Sequence, residues 1–125
     1  MSGTTTMELP RTAGSAGIAR LIVSAHGAGL SEERLKSANL IVSELVTNAC
    51  KHGTGQIQLT VRSGADGVRA DVQDEGGAEV EIAPVQNRPP RGGWGLYFVD
   101  RLADAWGVEA GEARVWFRVA GEPAL

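Results

Sequence analysis

The hydrophobic period of this sequence changes once, abruptly, and that change limits the possible folds more than any other feature. From Ser31 to Gly53 the apolar residues Leu35, Ala38, Val42, Leu45 and Ala49 step by three and four, the spacing of one helix face. Ser31 offers a capping hydroxyl, and Glu32 and Glu33 follow where the helix dipole favours acids. Lys51, His52 and Gly53 close the segment, the glycine being suited to a left-handed cap. The period then becomes two. Ile57, Leu59 and Val61 alternate with Gln58, Thr60 and Arg62; past the turn "SGADG", Val68, Ala70 and Val72 alternate with Arg69, Asp71 and Gln73. Two such runs around a short Gly- and Asp-containing turn predict an antiparallel hairpin.

The flanking segments extend this pattern. Ile18, Leu21, Ile22 and Ala25 predict a first helix over residues 12–28, and Leu96, Val99, Leu102, Ala103 and Trp106 predict a third. "GVEAGEARVWFRVA" reads as a second hairpin with Val115, Phe117 and Val119 on one face. Residues 1–11 are expected to be loose, or to add a short edge strand at Met7–Leu9. Residues 12–120 are expected to form a single domain and 121–125 a tail. Residues 75–92 are rich in Gly, Pro and polar side chains, and a loop of that length inside a domain is usually functional. The order helix, helix, hairpin, loop, helix, hairpin implies an α+β fold. It is a two-layer α/β sandwich, a mainly antiparallel sheet with helices on one face.

Composition narrows the function. With 15 acidic and 12 basic residues the net charge is −3, which argues against direct nucleic-acid binding, since phosphate neutralisation needs a basic face. No apolar run approaches the roughly 18 residues of a membrane span, so no membrane association is expected and the cytoplasm is the expected compartment. The single cysteine, Cys50, has no internal disulfide partner and reads as a small buried hydrophobe in a reducing compartment.

Three places can carry chemistry. Glu44, Asn48 and His52 recur at a spacing of four in "LIVSELVTNACKHG", with Lys51 near the same edge, at the rim of the apolar stripe. A carboxylate there suits a general base and an amide oxygen suits Mg²⁺, a hard cation that keeps several waters. The competing reading is a solvated column in which Glu44 pairs with Lys51 and His52 complements the helix dipole. In "ADVQDEGG", the alternation aims Asp74 toward the apolar side of its strand, where a carboxylate needs specific donors. A purine amine is one such donor, with Gly76 admitting the base; an ordinary turn acid is the other reading. In "RGGWGLYFVDRL", Arg91, Gly93, Gly95 and Leu96 sit at the predicted start of a helix, whose free amides can hold phosphate oxygens. No phosphate loop ending in Lys and Ser or Thr is present.

"SELVTNACKHG", "DEGG" and "GGWGLYFVDRLADAWG" occur in the order and spacing of one family. Over residues 9–119 the chain resembles the GHKL, or Bergerat-type, ATP-binding domain of gyrase and histidine kinases, and within it the small actinobacterial anti-sigma-factor serine/threonine kinases. The resemblance implies an ATP- and Mg²⁺-binding sandwich with a lid over residues 77–91. It implies Glu44 as catalytic base, Asn48 as the metal ligand, Asp74 and Gly76 at adenine, and Gly93 and Gly95 at the phosphates. It also implies an anti-anti-sigma (STAS-type) protein and a sigma factor as partners, and a possible homodimer. The second box reads Asp74-Glu75-Gly76-Gly77-Ala78 where the family has Asp-x-Gly-x-Gly. A regulatory module of the same fold without catalysis is the alternative.

Overall fold

The computed structural model describes residues 3–75, 99–109 and 113–121. Strand β1 (Gly3–Leu9) leads into helices α1 (Ser15–Ala25) and α2 (Glu32–His52). The chain continues through β2 (Ile57–Gly64), β3 (Gly67–Gln73), β4 (Ala105–Glu109) and β5 (Arg114–Val119). The strands form one sheet in the order β1-β2-β3-β5-β4, antiparallel throughout. Both helices pack on one face, so the expected α+β layering is what forms.

The core lies between these layers because each element contributes one apolar side. Ile57, Leu59 and Val61 of β2, Val68, Ala70 and Val72 of β3, and Phe117 and Val119 of β5 are buried. They meet Ala19 and Val23 of α1 and Ala38, Ile41, Val42, Leu45 and Val46 of α2. In α2 the Ser31 hydroxyl accepts the Arg34 amide at 3.1 Å, a side-chain N-cap.

Three sequence expectations are corrected. The N-terminal segment is a full strand from Gly3, because "TTTMEL" is rich in β-branched residues and pairs along β2 from Gly3↔Ser63 to Leu9↔Ile57. The first helix is shorter than 12–28: it begins after Gly14, with no side-chain cap, and gives way to a 3-10 turn at Gly27–Gly29. Trp106 is in β4 and not in the third helix, whose described part is residues 99–102. The Asp104 amide donates to the Arg118 carbonyl and its carboxylate accepts the Ala120 amide, which draws the chain into the sheet.

Asp71 lies on the outer side of β3, as the alternation expects, and neighbouring side chains leave only 7% of it exposed. Arg69 grips it with two hydrogen bonds, at 3.0 and 3.1 Å, while lying 4.4 Å from the Trp116 ring, and Trp116 is the cross-strand partner of Asp71. The hydrogen bond to Asp71 raises the Arg69 guanidinium above its ordinary range.

Candidate nucleotide site at the end of helix α2

Glu44 and Asn48 lie one turn apart on α2, and both are half-buried beside the core residues Leu45 and Val46. The flanking pattern explains this placement. A 21-residue helix whose buried positions are Ala38, Ile41, Val42, Leu45 and Val46 leaves 44 and 48 at the margin of the packed stripe. Lys51 and His52, in the last turn, are exposed. Thus the column is half-buried at Glu44 and Asn48 and ends in solvent.

The helix then stops at a tight junction. Gly53 caps it with φ −85° and ψ −176°, an extended conformation and not the left-handed one expected from its sequence. Its requirement is for space. A Cβ there would stand 2.2 Å from Asp74 Oδ2 and 2.8 Å from the Ala49 carbonyl oxygen. The half-buried Asp74 carboxylate is therefore pressed against the C-terminal end of α2, just beyond the last residue of β3. The Asp74 amide donates to Ala113 O at 3.2 Å, and the Glu75 amide donates to Thr54 O at 3.0 Å. The Glu75 carboxylate in turn accepts the Gln56 amide at 2.7 Å. Together these bonds fix Asp74 in position.

Two contributors were not visible as such in the sequence. Arg11, in the β1–α1 connection, donates to the carbonyls of Ala49 and Cys50 at 2.8 and 2.5 Å. A guanidinium at the carbonyl end of a helix satisfies free acceptors and complements the dipole. The contact spans 38 residues in sequence, and only the basic character of Arg11 hinted at it. Ala113 is buried with φ +51°, a positive φ on a residue other than glycine, and its carbonyl takes the Asp74 amide. Cys50 is half-buried, with its thiol 3.8 Å from Thr12 O.

The remaining sequence candidates, Gly76, Arg91, Gly93, Gly95 and Leu96, and the expected lid at 77–91, lie outside the described residues. The structure does bring Glu44, Asn48 and Asp74 to one helix and its C-terminal junction. A separate surface cavity of about 490 Å³ opens by the β2–β3 turn, lined by residues including Gly3, Gly29, Ser63 and Gly67. His26 borders it, with its two ring nitrogens hydrogen-bonded to Thr5 and Ser63 at 2.8 and 2.7 Å.

The donor set fits a cation held mostly by a nucleotide. No group of three or more His, Cys, Asp or Glu that could hold a metal occurs among the described residues. A single amide oxygen with phosphates and water is sufficient for Mg²⁺, which rarely uses an all-protein cage. No helix among the described residues is long and apolar enough to cross a membrane.

A search among curated proteins returns no match. The model of the histidine kinase-like ATPase domain matches residues 9–119, from the last residue of β1 to the last of β5. That span includes the whole α2 ledge and Asp74, in the antiparallel sandwich that holds them. The chain therefore belongs to the histidine kinase-like ATPase domain family, whose members bind ATP.

Proposed function

We propose that this chain is an ATP-dependent serine/threonine protein kinase that also acts as an anti-sigma factor, its phospho-acceptor being a STAS-type anti-anti-sigma protein. The observation that carries the reading is the ledge on α2, with Glu44 and Asn48 one turn apart and Asp74 fixed at its end. Asp74 would accept the exocyclic amine of adenine, and Asn48 would hold Mg²⁺ through its amide oxygen. Mg²⁺, when bound, offsets charge on the phosphates. Glu44 would take the proton of the acceptor hydroxyl as its oxygen bonds to the γ-phosphorus and the bond to the β-phosphate oxygen breaks, leaving ADP. Such transfer depends on positioning and charge neutralisation, which an ordered ledge supplies.

The second box favours one further reading. Glu75 is tied to Gln56 through its side chain, and Ala78 stands where the family motif has its last glycine. A module that binds a sigma factor or its antagonist without transferring phosphate would keep the sandwich and tolerate that change. Radiolabelled ATP with a STAS-type acceptor separates the two. Under the kinase reading Asn48→Ala loses Mg²⁺-dependent ATP binding, whereas Glu44→Ala binds ATP and loses transfer by roughly 100-fold or more. Transfer at the normal rate by Glu44→Ala would remove Glu44 as the base.

A further inference from the structure

The side of the sheet away from the helices carries a row of charge that neither the core nor the nucleotide ledge uses. Arg62, Arg69 and Arg118 stand directly opposite one another on β2, β3 and β5. Thr4 and Ala105 continue the row on the outer strands, so it ends without charge on both sides. Like charges directly opposite on neighbouring strands oppose the pairing. Only the middle guanidinium is compensated: Arg69 holds Asp71 and lies over Trp116. Arg62 is exposed and Arg118 half-buried, and among the described residues neither side chain has a hydrogen-bond or ion-pair partner. In a chain with net charge −3, this is a local concentration of cations on a flat surface.

We propose that this row docks an acidic α-helical segment of a partner protein, laid across the strands with one carboxylate against Arg62 and another against Arg118, over an Arg69 whose fork Asp71 already fills. The spacing supports a helix. Adjacent strands stand about 4.8 Å apart, and helical side chains three or four positions apart are separated by about 5–6 Å. Acids at i and i+7, about 10.5 Å apart along a helix, therefore match Arg62 and Arg118, which stand two strands apart. Arginine is suited to the task because its planar fork binds a carboxylate through two parallel hydrogen bonds. The neighbouring structure also sets the position of the helix. Another row on the same face, nearer the end of α2, runs Glu8, Gln58, Gln73, Arg114 and Glu109, with Arg114 paired to Glu109 at 2.6 Å. The cation of that row is already compensated, so the arginine row is the one that attracts a negative helix.

The test uses the full chain and a fluorescein-labelled, alanine-based helical peptide with Glu at i and i+7. A matched peptide with Gln at those positions is the control. Fluorescence anisotropy at low salt should show saturable binding of the Glu peptide, one per chain. Raising the salt should weaken it roughly tenfold or more, since the contacts are near the surface. Arg62→Gln with Arg118→Gln should cost at least as much affinity at a thermal midpoint that does not fall, because both arginines oppose a like charge across the strands. Three outcomes overturn the proposal: no saturable binding, equal binding by the double variant, or equal binding of the Gln peptide. Tighter binding of an oligothymidine than of the peptide would assign the row to nucleic acid and also overturn it. So would sedimentation showing self-association that excludes the peptide and is abolished by the double variant, which would make a second copy the occupant.

Discussion

At Gly53 a single hydrogen in place of a methyl group decides whether α2 and Asp74 can meet. The backbone there is extended, so alanine is conformationally allowed, but its Cβ would overlap the Asp74 carboxylate and the Ala49 carbonyl. Gly53→Ala is expected to lower stability by about 1–3 kcal/mol, the usual cost of an overpacked site. It should also weaken ATP binding, because the side chain that yields is Asp74. Urea denaturation and ATP titration of the same variant check both parts; normal affinity at reduced stability would separate Asp74 from the nucleotide. Gly53 is legible in the sequence, but for a different reason. A glycine after a helix usually signals a left-handed cap, whereas here the constraint comes from a strand end 21 residues later, which local patterning does not register.

Among the elements, those with strong periodicity were the most legible. α2 runs to His52 as its apolar stripe and caps predict, and the β2–β3 hairpin forms around the turn read from "SGADG". An element defined by a long-range partner was misread: Trp106 continues a helical spacing but lies in β4, opposite Phe117 of β5. Of the candidate site, the Glu44–Asn48 column was legible because both residues belong to one helix. The Arg11 contact was not, because a loop residue that reaches the far end of another element leaves no period. Its consequence is testable. Arg11→Ala removes two donors from the last turn of α2 and is expected to cost about 1 kcal/mol, below the usual range for charged hydrogen bonds because the guanidinium is exposed. Arg11→Lys should recover part of it. Amide hydrogen exchange should report the loosening at residues 49–53 and leave the first turns of α2 unchanged. Uniform change along the helix would contradict a local clamp.

Among the described residues, one core joins the five strands to α1 and α2, and β1 is part of it. Leu9 is 1% exposed although it lies within the first eleven residues. Leu9→Ala is therefore expected to lose about 2–5 kcal/mol in urea denaturation, a large share of the roughly 5–15 kcal/mol that stabilises a typical domain. Thr6→Ala, on the outer side of the same strand, should change it little. Equal, small effects would mean that the N-terminal segment is not joined to the sheet. The same core fixes the ledge, since α2 contributes both buried residues and the nucleotide candidates. The most direct measurement is isothermal titration of the full chain with ATP and Mg²⁺, alongside Asp74→Asn and Asn48→Ala. Micromolar binding by the parent chain is expected, weakened by Asp74→Asn with or without the metal and stripped of its Mg²⁺ dependence by Asn48→Ala. Undiminished binding in both variants, or none in the parent, would contradict a nucleotide site at the end of α2.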